Sequence, residues 1–249
     1  MAHKSAFVAI VGRPNTGKST LVNAIVGSKV AITSHHPNTT RSAIRGIATG
    51  GDFQLVLVDT PGLHKPKTLL GGALNTMVTD SMESVDLIVQ CFPANEAIGS
   101  GDRFIAQEIS KHNGARKIAA VTMIDMVDRS KVPEQLMAVA KLAKDLGFDW
   151  DEIVPLSAKT DTQVQTLIDL LIKYAPEGPA FYPVEMRSDQ ELSQSIADLI
   201  REAAIAEMKE EVPHSIAVVV DEFSKREDKE NFYEIHASIV VERDSQKAI

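Results

Sequence analysis

The stretch Phe7-Val8-Ala9-Ile10-Val11-Gly12-Arg13-Pro14-Asn15-Thr16-Gly17-Lys18-Ser19-Thr20 runs from a short apolar block into a glycine-punctuated loop and out into a segment with helical spacing. An aliphatic block that short, closed by a glycine, reads as a buried strand, and 19–26 reads as the helix that follows it. The loop between them fits G-x-x-x-x-G-K-[ST] from Gly12 to Ser19. The spacing has a physical purpose. Backbone N–H groups at the start of a helix converge on an anion. Lys18 then reaches the β- and γ-oxygens of a phosphate chain, and the Ser19 hydroxyl becomes a ligand for Mg²⁺. The loop holds phosphates and does not choose a base.

Outward from this stretch, short apolar runs alternate with helix-like segments. Residues 7–11, 53–58, 87–92, 118–121 and 153–156 read as strands, while 19–26, 72–82, 101–111, 133–146 and 164–174 have helical spacing. Strands apolar on both faces and separated by helices predict a mostly parallel sheet covered on both sides, an α/β fold. The 249 residues suffice for one large domain or two ordinary ones, and 44% hydrophobic with 24% charged residues exclude a disordered or collagen-like chain. The apolar runs fall far short of the ~20 residues that span a bilayer. The one cysteine, Cys91, has no partner for an internal disulfide, and Met1-Ala2-His3-Lys4 does not open a secretory signal. A soluble protein of a reducing cytoplasm is the expectation.

Two further motifs lie downstream of the loop. Asp59-Thr60-Pro61-Gly62 follows the run 53–58. An aspartate at the carboxyl end of a strand beside a phosphate loop can hold Mg²⁺, and the Gly62 amide can meet a γ-phosphate. Between the motifs, Pro37-Asn38-Thr39-Thr40-Arg41 is polar and loop-like. A threonine there can supply a second Mg²⁺ ligand once a γ-phosphate orders the loop, which is switch logic. Thr40 is preferred to Thr39. His35 and His36 lack Cys or carboxylate partners at ligand spacing and read as plain loop residues.

Residues 175–179, Ala-Pro-Glu-Gly-Pro, with Pro183 beyond, punctuate the chain as a linker. After it, Asp189 is placed to cap a helix over 190–210, with Leu192, Ile196, Leu199, Ile200, Ala203 and Ala204 on one stripe. Residues 215–220 and 232–241 then read as two strands around the turn-prone 224–231. Charge divides along the same line. Residues 1–180 carry 18 Lys+Arg and 18 Asp+Glu, and 181–249 carry 8 and 16, so the net −8 lies wholly in the last quarter. An acidic segment of that kind repels a phosphate backbone unless its charges are segregated.

Taken together, Gly12–Thr20, Asn38-Thr39-Thr40-Arg41, Asp59-Thr60-Pro61-Gly62-Leu63-His64-Lys65-Pro66, Gly101-Asp102-Arg103-Phe104, Val154-Pro155-Leu156-Ser157-Ala158-Lys159 and Val240-Val241-Glu242-Arg243 resemble the Era family of bacterial GTPases over nearly the whole chain. The resemblance implies a Ras-like P-loop GTPase domain over 1–175, a linker over 176–186 and a type II KH domain over 187–249. It implies a slow GTPase that binds GTP and GDP with Mg²⁺ and assists assembly of the small ribosomal subunit by binding 16S ribosomal RNA. Nucleotide contacts fall on Gly12, Arg13, Pro14, Asn15, Thr16, Gly17, Lys18, Ser19, Thr20, Asp59, Thr60, Pro61 and Gly62. Metal ligands are Ser19, Thr40 and Asp59, and the catalytic groups are Lys18, Thr40, Gly62 and Asn15. In related GTPases an asparagine at the position of Asn15 helps hold a K⁺ ion, and Leu63 stands where Ras-like proteins place a water-orienting glutamine. Peripheral membrane contact also belongs to the resemblance, although no basic amphipathic helix here supports it.

The chain departs from that family at two places. The guanine-reading pattern N/T-K-x-D appears as Thr122-Met123-Ile124-Asp125. By resemblance Asp125 accepts from the base N1–H and 2-amino group, Thr122 takes part of the Asn role, and Met123 packs on the ring without an ammonium. Ser157, Ala158 and Lys159 form the next base-contacting loop, with the Ala158 amide toward the guanine oxygen. The family's KH domain grips RNA through a G-x-x-G loop, and 181–249 contains no glycine, so the KH part is expected to be partial and its RNA binding impaired. Two other functions compete: a nucleotide-binding scaffold with little turnover, suggested by Met123 and the missing RNA loop, and an ATP-dependent P-loop enzyme, against which Asp125 and Ser157–Lys159 speak.

Overall fold

The computed structural model describes residues 2–33, 44–60, 82, 84–207, 216–226 and 232–241. The chain divides into two compact units, Met1–Ala31 with Pro37–Asp189, and Ile32–His36 with Gln190–Ile249.

Among the described residues of the first unit, six strands form one sheet: β1 (Lys4–Val11), β2 (Ile44–Thr49), β3 (Phe53–Asp59), β4 (Leu87–Pro93), β5 (Arg116–Thr122) and β6 (Glu152–Pro155). Their order is β2-β3-β1-β4-β5-β6, with β2 antiparallel to β3 and every other neighbour parallel. Helices α1 (Lys18–Val26), α2 (Ser100–Ser110), α3 (Val132–Asp145) and α4 (Val164–Tyr174) cover it. The period of two along β1 sorts its side chains between two cores. Ala6, Val8 and Ile10 meet Leu21, Val22 and Ile25 of α1 and Leu167 and Leu171 of α4. Ala9 and Val11 meet Ile105 and Ile109 of α2 on the opposite face. Farther along the sheet, Phe92, Ala119 and Val121 pack on Val139 and Leu142 of α3. Each fully buried Leu, Ile or Val contributes about 1.5–3 kcal/mol.

The doubly covered, mostly parallel sheet is as expected. Strand β1 begins three residues early because Lys4, Ser5 and Ala6 pair in register with Phe53, Gln54 and Leu55. Strand β2 carries no clear signal in the sequence, since Arg45 and Gly46 interrupt its aliphatic residues. Its glycine is there for approach: a Cβ on Gly46 would stand 2.9 Å from methyls of both Val22 and Val26, so α1 can lie on β2 only without one. The helix expected over 72–82 falls, apart from Met82, outside the described residues.

Residues 176–189 lie along the first unit. Ser5 N–H donates to the Pro176 carbonyl at 3.1 Å, and Ile47 N–H to the Arg187 carbonyl at 2.8 Å. The buried Gln54 side chain accepts from Phe181 N–H (2.7 Å) and Tyr182 N–H (2.9 Å) and donates to the Tyr182 carbonyl (2.9 Å). Phe181 also packs on Phe7, with ring centroids 4.8 Å apart.

In the second unit, helix α5 spans Leu192–Glu207 and an antiparallel pair joins β7 (Ala217–Lys225) to β8 (Tyr233–Val240), with a register shift between Val220 and Glu222. Asp189 is not the cap: its carboxylate takes Arg45 Nη1 at 2.8 Å, and the helix starts three residues later. The buried line is Ala197, Arg201 and Ile205, whereas Leu192 and Leu199 are exposed. Thr33 is tied to this helix by its N–H and hydroxyl, which donate to Glu202 Oε1 at 3.2 and 3.0 Å. The turn expected over 224–231 begins later than the sequence suggests, since Ser224 and Lys225 still pair with Glu234 and Tyr233.

Candidate nucleotide-binding site

Four chain segments bring the expected residues to the carboxyl ends of β1, β3, β5 and β6, the edge where parallel sheets bind their ligands. At β1 the chain turns so tightly that a Cβ on Gly12 would stand 2.7 Å from Thr16 Oγ1 and 3.1 Å from the Cys91 carbonyl. Gly17, at φ 85°, occupies the left-handed region just before α1, which aims the first amides of the helix back into the loop. Asn15 also adopts a left-handed conformation, φ 62°, and is exposed. The loop is braced internally: Thr16 Oγ1 donates to the Arg13 carbonyl at 3.0 Å, and Lys18 Nζ donates to the same carbonyl at 2.8 Å.

Lys18 is buried. Burial pushes its ammonium below the usual lysine pKa, and the negative charge of Asp59 opposes the shift. A phosphate chain at this point would oppose it further. Pairing of β1 with β3 sets Ile10 opposite Asp59 and so brings the second motif to the loop. Ser19 Oγ donates to Asp59 Oδ2 at 2.7 Å. This hydroxyl and carboxylate are the oxygen donors that suit a small, hard cation that keeps several of its waters. They fit Mg²⁺. The neighbouring Thr60 hydroxyl donates to the Ile10 carbonyl at 2.9 Å, locking the turn after β3. Pro14 and Thr20 flank the loop and are half-buried. Thr40, Pro61 and Gly62 lie outside the described residues, as do Leu63 and the two loop histidines.

The loops expected to read the base meet the phosphate loop at β5. Thr122 Oγ1 donates to the Thr16 carbonyl at 2.8 Å, tying the strand end to the loop. Met123 has φ 58°, and its terminal methyl stands 3.4 Å from where a Cβ on Gly17 would be. The thioether thus lies over the loop glycine. Asp125 is exposed, and Ser157 Oγ donates to its Oδ1 at 2.6 Å. Ser157 is itself fixed by paired backbone bonds with Thr162 at 3.0 and 2.9 Å. A buried serine thus fixes the orientation of the Asp125 carboxylate. Ala158 is half-buried and Lys159 exposed beside it.

Two features escape a reading by motif. Asn23 on α1 accepts from Val30 and Ala31 N–H at 2.9 Å each and donates to the Ala31 carbonyl at 2.8 Å, fixing the chain that leads toward residues 34–43. Arg13 points away from the loop, donating from Nε to Asp102 Oδ1 at 2.8 Å and from Nη2 to Glu96 Oε2 at 2.9 Å. Burial alone would lower its pKa, and the two carboxylates reverse the sign and raise it. No spacing in the sequence links residues 83 and 89 positions apart. Cys91, beneath the loop, has its thiol pushed up to about 12 by burial.

A phosphate-loop motif after β1, the Ser19–Asp59 pair beside it and the Ser157–Asp125 pair at the next loops, all at one edge of a mostly parallel sheet, define a P-loop guanine-nucleotide-binding protein. The family of 50S ribosome-binding GTPases matches residues 7–126. GTPase Era of Nocardioides sp. is 51% identical over 251 residues, covering 100% of this chain and 80% of that one. GTPase Era of Streptomyces coelicolor is 52% identical over 250 residues, covering 99% and 79%. This chain belongs to the GTPase Era family. It also superposes on a crystal structure of Era in complex with MgGDPNP and nucleotides 1506–1542 of 16S ribosomal RNA, with a TM-score of 0.91 at 33% identity over 98% of this chain and 81% of that one. An Aquifex aeolicus Era variant bound to GDP·AlF4− gives 0.90 at 33% identity over the same shares.

Proposed function

We propose that the chain is a GTP-binding, slowly GTP-hydrolysing switch that serves assembly of the small ribosomal subunit through its ribosomal RNA. The observation that carries this reading is the convergence of Lys18, Ser19 and Asp59 with the Ser157–Asp125 pair at one sheet edge. Phosphate, metal and base contacts then lie in the order a nucleoside triphosphate presents them. Mg²⁺, when bound, neutralises charge on the β- and γ-oxygens. Lys18 would keep the Arg13 carbonyl and offer its remaining N–H donors to the phosphates, and the Ser19 hydroxyl with Asp59 would hold the ion. Asp125 accepts from the guanine N1–H and 2-amino group, which adenine does not offer. Met123 covers the ring, Thr122 braces the loop beneath it, and the Ala158 amide with Lys159 completes the base contact.

Hydrolysis is assigned to Lys18, to Asn15 as a K⁺ ligand, and to Thr40 and Gly62, which order against the γ-phosphate. It is slow because Leu63 cannot orient water. In this reading, 1–175 is the GTPase domain, 176–186 the linker and 187–249 belongs to a KH domain. The RNA partner is supported by the 16S nucleotides in the Era complex. The protein works in the cytoplasm, and no helix among the described residues is long and apolar enough to cross a membrane. The test is single-turnover release of phosphate from GTP with Mg²⁺ present or chelated. Metal-dependent release supports the switch, and GTP that binds without turning over would make the chain a scaffold.

A further inference from the structure

Arg13 is the second residue of the phosphate loop, yet its charge faces away from where phosphates bind. Its guanidinium lies between Asp102 and Glu96, and Asp102 is the buried member of the three, 1% exposed against 49% for Glu96. An exposed ion pair contributes little. Breaking a pair whose carboxylate is buried leaves an uncompensated charge. Asp102 is itself fixed on several sides. Its Oδ2 accepts from Gly99 N–H at 2.9 Å, and its carbonyl accepts from the buried Gln90 Nε2 at 3.0 Å. The arginine stem crosses Gly101 so closely that a Cβ there would stand 2.7 Å from Arg13 Cδ. The other end of the same residue is the carbonyl that takes both Lys18 Nζ and Thr16 Oγ1. One residue therefore joins the first turn of α2 to the brace that shapes the phosphate loop.

We propose that Asp102 is a positioning residue for nucleotide binding, acting through Arg13 to hold the main chain at residue 13 where the loop amides converge on the phosphates. This rests on the nucleotide site described above. The net charge of Arg13, Asp102 and Glu96 together is −1, so the arginine adds no attraction for phosphate. Its contribution is geometric. GDP and GTP should both feel its loss, since both place a β-phosphate in the loop.

The test is a double-mutant cycle on the full chain, with the Kd of a fluorescent GDP analogue read for wild type, Arg13→Gln, Asp102→Asn and the pair. Each single change should weaken binding about tenfold, the size of coupling seen between contacting residues. The double variant should be no weaker than the weaker single. Thermal midpoints without nucleotide accompany every Kd. If Asp102 merely caps α2, Asp102→Asn lowers the midpoint equally in both backgrounds and leaves Kd unchanged, which overturns the proposal. Effects on Kd that multiply in the double variant overturn it as well. Should Asp102→Asn fail to fold, Arg13→Gln at its partly exposed site carries the same expectation alone, and wild-type affinity there refutes it. A wild-type chain that binds no GDP would instead refute the nucleotide site itself.

Discussion

In the proposed site Lys18 would meet the phosphates and Met123 the base, and each makes a separable prediction. Lys18→Ala removes the ammonium that meets the phosphates, and titration with a fluorescent GDP analogue should show affinity falling about a hundredfold or more, the scale for losing one preorganised charged donor. Its circular dichroism should stay native, because the Arg13 carbonyl keeps the Thr16 hydroxyl and the hydrophobic cores are untouched. Met123→Lys restores the family ammonium above Gly17. A charge-assisted hydrogen bond regained there should tighten GTP and GDP alike, by about tenfold, with little change in turnover per bound GTP. Equal Kd values before and after would show that the thioether serves as well. Replacing K⁺ by Na⁺ should slow hydrolysis in wild type and leave Asn15→Ala unaffected, and identical rates in all four assays would dismiss the ion. Cys91 gives a pH prediction. Its folded pKa of about 12 lies above the ordinary 9.0, so the native state keeps a proton that the unfolded chain releases first. That contribution to stability is whole below pH 9.0 and declines as pH rises toward about 12. At neutral pH the thiol should resist a disulfide-exchange reagent until the protein is unfolded in guanidinium chloride.

Elements were legible in the sequence where burial was total. The runs that became β3, β4 and β5 are apolar on both faces apart from the buried Gln54 and Gln90, and α4 appears at the bounds its spacing suggests, Val164–Tyr174. Strand β2 was not legible, because what makes it a strand is the neighbour it permits: Gly46 has meaning only with Val22 and Val26 above it. Gly46→Ala should therefore force α1 off the sheet edge and cost about 1–3 kcal/mol, the penalty of overpacking, read as a lower urea midpoint at unchanged slope. The stripe on α5 was misread for a related reason. Helical periodicity gave Leu192 and Leu199, but the residues buried are Ala197, Arg201 and Ile205, since the packed face is chosen by what stands beside the helix. The candidate site divides in the same way. Gly12, Lys18, Ser19 and Asp59 follow from spacing within a motif, whereas the hold of Asp102 on Arg13 exists only once β1 and β4 stand side by side.

At the scale of the molecule, the two units differ in how much they bury. The first encloses its sheet on both faces, while β7 and β8 expose Val219, Phe223, Tyr233, Ile235 and Ile239. The last quarter also carries the whole net charge of −8 and no glycine. Phosphate contacts dominate affinity for nucleic acid, so binding to the 3′ end of 16S ribosomal RNA should be weak at physiological salt. In a gel shift run beside an Era relative that carries a G-x-x-G loop, this chain should need far more protein, and equal affinity would show recognition residing elsewhere in it. Nucleotide binding should be unaffected, because every residue assigned to it precedes 176. The measurement that bears most directly on the whole account is therefore a competition on the full chain, with unlabelled GTP, GDP and ATP displacing a fluorescent GDP analogue in the presence of Mg²⁺. The account predicts that GTP and GDP displace it at low concentration and ATP does not, because Asp125 has hydrogen-bond donors to accept only from guanine. Displacement by ATP as effective as by GTP would contradict it.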